Sequence, residues 1–236
     1  MMATKNGLVK KTPLSAYGRP RRGGIIAIKL REDDELINVV VAQENDEIVL
    51  ATASGMAIRF KESDARPTGR NTSGVKGISL ASGDALVGMV VADPDATLLT
   101  ACANGYGKRT AFGPNQTDGG TDESASASRY RTQNRGGKGL RDIKATARNG
   151  AVVGILPVGD EDEILMMTAR GKLQRISCSD INAIGRNTQG VRIMSLDKDD
   201  TLAALVRVPR DESEADDELS AEVEVETPVE PAGKES

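Results

Sequence analysis

The sequence predicts an all-β fold of about four propeller-type blades, and three observations carry that expectation. First, the chain repeats itself: Gly69-Arg70-Asn71-Thr72-Ser73-Gly74-Val75-Lys76 returns as Gly185-Arg186-Asn187-Thr188-Gln189-Gly190-Val191-Arg192. A fixed period means one supersecondary unit stacked several times. Second, short apolar runs end at turn glycines and are followed by another short run, which is the pattern of a hairpin. Third, no segment carries a long stripe of apolar residues at a 3.6-residue period. About four short strands per unit fit a blade better than a helical solenoid.

Aligning the turn glycines gives Gly7, Gly55, Gly105 and Gly171, spaced by 48, 50 and 66 residues. A second anchor, Gly24, Gly74, Gly136 and Gly190, is spaced by 50, 62 and 54 residues. Four units follow, near 3–45, 46–95, 96–160 and 161–208. In the second, Ile48-Val49-Leu50 is a strand, Ser54-Gly55 its turn, and Ala85 to Val91 a later strand. The third has Leu98-Leu99-Thr100 before Asn104-Gly105, and the fourth has Ile164 to Met167 before Arg170-Gly171 and then Thr201 to Val206. Asn-Gly, which also occurs at Asn6-Gly7, predicts a type I′ hairpin turn. The length of the third unit comes mostly from a Gly-, Ser-, Thr- and Asp-rich stretch, 113–128, expected to be flexible.

The chain of 236 residues is 38% apolar but has no Trp, two Phe and three Tyr, so its core must be aliphatic. That argues against propellers built on Trp or aromatic platforms. No apolar run approaches the ~20 residues that span a bilayer, and no signal peptide is evident. A soluble, cytoplasmic protein is expected. Cys102 takes the place of Thr52 and Thr168 in neighbouring units and reads as a small buried thiol. With no His, a Ser-His-Asp triad and a His-ligated metal are both excluded. The carboxylates of Glu32 to Glu35 and Asp160 to Glu163 read as solvated turns rather than acid–base pairs.

Charge is uneven. Residues 209–236 hold 11 acidic groups against two basic ones, a net −9, and are expected to be disordered. The body, with 29 basic against 24 acidic residues, is +5. Four residues after each turn glycine stands a basic residue: Lys11, Arg59, Arg109 and Arg175. Each second-anchor loop adds more, namely Arg19, Arg21 and Arg22; Arg66, Arg70 and Lys76; Arg129, Arg131, Arg135 and Lys138; Arg186 and Arg192. Lys108 precedes Arg109. Any one of these could serve only to solubilise a loop. A basic position recurring in stacked units becomes a stripe, and a stripe along a curved body can track a polyanion. Such binding is backbone-directed, salt-sensitive and poor in sequence preference.

The sharpest local motif is Gln133-Asn134-Arg135-Gly136-Gly137-Lys138-Gly139, whose paired glycines free backbone N–H groups beside two cations. Neither it nor Gly105-Tyr106-Gly107-Lys108-Arg109-Thr110 has the glycine spacing or the Ser/Thr of a P-loop.

The repeats, the Gly-Arg-Asn-Thr-x-Gly-Val motifs, Asn104 to Thr110 and the acidic tail together resemble the C-terminal domain of DNA gyrase A subunits, over residues 3 to about 208. The resemblance implies a β-pinwheel, a propeller-like disc whose blades exchange strands and whose basic perimeter wraps double-stranded DNA. It further implies service to an ATP-dependent type II topoisomerase that supercoils DNA in the cytoplasm, at the nucleoid. The partners would be the gyrase B subunit, together with the breakage-reunion domain that precedes this region in the family. No cofactor or metal is expected in this chain; ATP and Mg would be bound elsewhere in the holoenzyme. Tyr17, Tyr106 and Tyr130 lie in repeat loops, so the strand-cleaving tyrosine belongs to a domain this sequence lacks.

Two departures stand out. The family's box, Gln-Arg-Arg-Gly-Gly-Lys-Gly, lies in its first blade, whereas Gln133 to Gly139 has Asn134 for Arg and lies in the third unit here. Four units against six places the start of this chain at about the family's third blade. The alternatives left open are the equivalent domain of topoisomerase IV, which serves decatenation, and a protein-interaction propeller. The tail carries a further expectation, that it competes with DNA for the basic rim.

Overall fold

A computed structural model of the chain describes residues 1–115 and 130–208. The stretch expected to be flexible lies, from residue 116 onward, outside the described residues, as do Arg129 and the whole acidic tail. Among the described residues the chain forms antiparallel β-sheets joined by loops and single 3₁₀ turns such as Glu62–Asp64 and Cys178–Asp180. No helix among them is long and apolar enough to cross a membrane.

The first sheet contains β1 (Met2–Thr4), β2 (Leu8–Lys10) and β3 (Leu36–Val39), and the second β4 (Glu47–Thr52), β5 (Met56–Lys61) and β7 (Leu86–Val91). The short β6 (Val75–Lys76) lies between β5 and β7 in sequence but pairs with β2 of the first sheet. The third sheet has β8 (Thr97–Cys102), β9 (Tyr106–Ala111) and β11 (Val152–Val158), while β10 (Leu140–Arg141) joins β5 of the second. The fourth has β12 (Glu163–Thr168), β13 (Leu173–Ser177) and β15 (Leu202–Val208), and β14 (Val191–Arg192) joins β9 of the third. Strand orders are β3-β1-β2-β6, β10-β5-β4-β7, β11-β8-β9-β14 and β13-β12-β15. Each of the first three sheets thus takes its fourth strand from the following unit. The fourth sheet, expected to have four strands, has three among the described residues.

Successive sheets stack face to face. Ile48 and Leu50 of β4 pack with Ala3, Val9 and Ile78 on one side, while Val49 and Ala51 pack with Leu98, Val152 and Ile155 on the other. A third core joins Leu99 and Ala101 to Ile164, Met166 and Leu202. Strands covered on both faces read as continuous apolar runs, and β4 is buried at every position. In β12 burial alternates, with Ile164, Met166 and Thr168 inside and Met167 exposed, so among the described residues the far face of the fourth sheet is only partly covered. The strands β3, β7, β11 and β15 pack on one another from sheet to sheet. That edge of each sheet converges on a common axis, and the opposite edge forms the rim.

The hairpins differ from expectation. The first three are three-residue loops in which only the last residue has positive φ, as at Gly55 (+85°) and Gly105 (+76°); Asn6 and Asn104 are not left-handed. These are type I turns followed by a glycine bulge rather than type I′ turns. Asn104 is there for its side chain, whose amide donates to the carbonyls of Ala147 and Arg148 at 3.1 Å. The hydroxyls of Thr4, Thr52 and Thr168 accept N–H bonds from Leu8, Met56 and Lys172 across the same turns. Cys102 is buried at the equivalent position, and burial pushes its thiol up to about 12.

The turn carboxylates pin loops. Asp84 accepts from the N–H groups of Ser54 and Ala85, and Asp200 from those of Arg170 and Thr201. Burial pushes the Asp84 carboxyl up, but hydrogen bonds from Ser54, Thr52 and the backbone outweigh it and hold the group below its usual range. A depressed carboxylate stabilises the fold above its unfolded pKa and loses that contribution as pH falls through the folded value. Asp84→Asn is therefore expected to flatten the acid limb of the stability curve below about pH 4, read by chemical denaturation across pH.

The first three turn glycines also meet the next unit. The Gly55 carbonyl accepts from Asp142 and Ile143, and a Cβ on Gly55 would lie 2.2 Å from the Ile143 oxygen. Gly171, at φ +86°, has nothing within 4 Å of that position. Gly55→Ala is expected to displace the exchanged strand, well beyond the ~1–2 kcal/mol of left-handed strain that Gly171→Ala incurs. Denaturation midpoints of the two variants check this.

Candidate nucleic-acid interface

The basic residues sort into two groups that the sequence does not separate. Arg59 is 1% exposed. Its guanidinium pairs with Glu47 and donates to the carbonyls of Phe112 (2.7 Å) and Tyr130 (3.3 Å) and to Asn115 Oδ1 (2.6 Å). Glu47 is completed by the Thr132 hydroxyl at 2.8 Å. Burial pushes the Arg59 guanidinium down and the Glu47 charge pulls it back. Arg109, 5% exposed, repeats the arrangement one unit later, donating to the Ile181 carbonyl (2.6 Å) and pairing with Asp160. Lys11 pairs with Glu62 of the next unit.

The main chain of these residues serves the same seam. Thr68, Gln133 and Ile184 donate their N–H groups to the carbonyls of Lys11, Arg59 and Arg109 at 2.8–2.9 Å. At Arg59 and Arg109 the recurrence is therefore a latch between units, and the expectation of a surface stripe is corrected at these two positions, whereas Lys11 keeps part of its side chain exposed. Lys108 is likewise withdrawn, with 0% of its surface exposed. It donates to Asp142 at 2.6 Å, and Asp142 also accepts from Thr100 (2.7 Å) and the Tyr130 hydroxyl. Burial pushes Lys108 down, and Asp142 opposes that shift. Guanidinium and ammonium groups so enclosed cannot reach a phosphate.

The remaining predicted residues lie at the surface. Arg19, Arg21, Arg22, Arg66, Lys76, Arg131, Lys138, Arg175 and Arg192 are exposed, and Lys11, Arg70, Arg135 and Arg186 are half-buried. Arg175 pairs with Glu163 in the open. The rim has a regular element. In the first three sheets the outermost strand ends on an exposed cation at one register position: Lys76 opposite Leu8, Arg141 opposite Met56, and Arg192 opposite Tyr106. Arg148 and Arg192 both stack on the Tyr106 ring, with guanidinium carbons 5.0 and 5.6 Å from its centroid. Cation–π stacking fixes the two charges while leaving N–H groups free for an anion.

Sequence reasoning missed Arg141, and also the exposed Lys144 and Arg148. The signal for Arg141 was present. Gly139-Leu140-Arg141 matches Gly74-Val75-Lys76 and Gly190-Val191-Arg192, and Gly139 backs onto the Ala57 carbonyl as Gly74 does onto that of Val9. The third unit's second anchor is thus Gly139, not Gly136.

The loop Gln133 to Gly139 crosses the seam between the first two sheets. Gly136 N–H donates to the Gly77 carbonyl (2.7 Å), Ser79 N–H to that of Gly137 (2.8 Å), and Arg135 to the carbonyls of Asp64 and Lys76. Asn134, Gly137 and Lys138 remain exposed, whereas Gln133, Arg135, Gly136 and Gly139 are half-buried. Lys138 is the cation of this loop that stays available.

Comparison with known proteins agrees with this architecture. The chain matches the family described as DNA gyrase C-terminal domain, beta-propeller, at residues 1–43, 46–93, 125–159 and 162–209. It is 43% identical to the DNA gyrase A subunit of Escherichia coli (strain K12) over 95% of this chain and 25% of that protein. Against the same subunit from Mycolicibacterium smegmatis it is 40% identical, over 93% of this chain and 24% of that protein. The chain spans about a quarter of the length of these curated relatives. A solved gyrase A C-terminal domain superposes with a TM-score of 0.73 at 26% identity, covering 87% of this chain and 64% of that one. The C-terminal domain of a DNA topoisomerase IV has the same fold, with a TM-score of 0.77 at 24% identity over 95% and 65% of the two chains. By its repeated sheets and by these matches, the chain belongs to the DNA gyrase C-terminal domain β-propeller family.

Proposed function

We propose that this chain binds double-stranded DNA along its outer-strand rim and wraps it, as the C-terminal part of the gyrase A protein in a supercoiling type II topoisomerase. The observation that carries the reading is the equivalent placement of Lys76, Arg141 and Arg192 on three successive outermost strands. Cations repeated at one register on a curved edge follow a phosphate backbone, whereas nothing in them reads base edges. Arg66, Arg131, Lys138, Lys144 and Arg148 extend the field at the surface. Bending a 20–30 base-pair duplex costs on the order of 1–6 kcal/mol, so contacts from several blades are required to offset it.

In this reading the chain itself catalyses nothing and holds no cofactor. Strand cleavage and ATP hydrolysis belong to the breakage-reunion domain and the B subunit, with which it works on DNA in the cytoplasm. Gln133 to Gly139 would act as a secondary box, through Lys138.

The test is binding to short duplexes of scrambled sequence over a range of salt. Affinity is expected to vary little with sequence, and log K to fall linearly with log salt, by about 0.9 per phosphate neutralised. Binding that ignores salt, or none at low salt, would overturn the proposal in favour of a protein-binding propeller.

A further inference from the structure

The third unit closes its hairpin differently from the other three. In those, an Asp carboxylate accepts the N–H of the turn's middle residue: Asp34 from Asn6 (2.9 Å), Asp84 from Ser54 (2.9 Å) and Asp200 from Arg170 (3.2 Å). Each Asp stands two residues before the strand position that faces Thr4, Thr52 or Thr168. The same position facing Cys102 is held by Gly150, and the Asn104 N–H goes instead to the Asn149 carbonyl (3.0 Å). A carboxylate that the other three hairpins carry is therefore missing from this one.

The charges that stand at this hairpin are positive. Arg148 and Arg192 are both exposed, and both stack on the Tyr106 ring. Arg192 also donates to the Tyr106 hydroxyl (3.2 Å) and Arg148 to Gln189 Oε1 (3.4 Å), and neither guanidinium pairs with a described carboxylate. The ring is particular to this unit: Leu8, Met56 and Lys172 occupy its place in the others.

The backbone under the two arginines is tied into one piece. Asn149 is fully buried and donates its amide to the carbonyls of Lys144 (2.9 Å) and Gln189 (3.1 Å), while accepting from the Thr146 N–H (2.8 Å). Lys144 N–H donates to the Thr188 carbonyl (2.7 Å). The loop that bears Arg148 is thus fastened to the exchanged segment that bears Arg192. Side chains placed in advance lose less rotamer freedom when an anion arrives, and a stacked guanidinium still presents its N–H edge.

The geometry points to a phosphate clamp: Arg148 and Arg192, positioned by Tyr106, grip the DNA backbone and make the third unit the anchor of the bound duplex. The inference rests on the DNA reading above and adds to it the place on the rim where the backbone is held most tightly. Tyr106 is a positioning residue, since it acts through the two arginines.

The test is fluorescence anisotropy of a short duplex of scrambled sequence across salt, with the full chain and four variants: Arg192→Gln, Arg141→Gln, Tyr106→Leu and Tyr106→Phe. Arg192 and Arg141 share one register position, but Arg141 faces Met56 rather than a ring. Arg192→Gln is expected to weaken binding roughly tenfold, more than Arg141→Gln does, while each lowers the salt slope by about one. Tyr106→Leu keeps both charges, so the slope should hold while affinity falls roughly fivefold. Tyr106→Phe, which keeps the ring, should recover most of that loss. Urea denaturation checks that Tyr106→Leu is folded; if it is not, the comparison of the two exposed arginines decides alone. Arg192→Gln binding no worse than Arg141→Gln, or a folded Tyr106→Leu binding as the wild type does, overturns the clamp and leaves DNA binding standing. A wild-type chain that binds no duplex overturns both.

Discussion

Arg59→Ala is expected to destabilise the protein by about 3–5 kcal/mol, because it leaves the Glu47 carboxylate buried without its cation. It also strips donors from the carbonyls of Phe112 and Tyr130, which the same guanidinium ties across the seam. Against a typical total of about 5–15 kcal/mol, such a loss removes much of the fold's margin. Arg175→Ala, the same position in the last sheet, is expected to cost no more than ~1 kcal/mol, since its pair with Glu163 is in water. Urea denaturation of the two variants separates the cases. Equal losses would contradict the assignment of Arg59 as a latch and Arg175 as an open one.

The largest effect on binding is expected from the triple reversal Lys76→Glu, Arg141→Glu and Arg192→Glu. All three side chains are exposed on two-residue outer strands, so the sheets should keep their stability within the usual limits for surface changes. Each phosphate contact removed lowers the salt slope by about one, so the triple should lower it by roughly three and weaken all sequences alike. Fluorescence anisotropy at several salt concentrations measures both. A slope that does not change would place the DNA path elsewhere on the molecule.

The fold was legible because the repeat preserves its turn glycines, which recur where each hairpin bulges and where the next unit presses on the turn. The aliphatic core followed from composition. Strand exchange was not legible from the residues themselves: Val75–Lys76, Leu140–Arg141 and Val191–Arg192 are too short to show a period, and they pair backward into the preceding sheet. Only the family resemblance implied it. The basic pattern misled for a physical reason. A cation in a strand looks the same in sequence whether it faces water or a carboxylate such as Glu47 on the neighbouring strand. Arg141 was hidden by anchoring the third unit on Gly136, because the paired glycines of that loop offer several registers and the backbone contact that selects Gly139 is tertiary. The Asn104-Gly105 pair predicts a left-handed Asn104, whereas its side chain instead binds the loop at Ala147 and Arg148.

Wrapping is tested most directly by the linking number of nicked circular DNA sealed by ligase with the chain bound. A rim of cations that carries DNA around a curved edge should shift the topoisomer distribution in proportion to bound protein, and the triple reversal should remove the shift. Tight binding with an unshifted distribution would contradict wrapping, and would leave the rim a holding surface of the kind expected for decatenation.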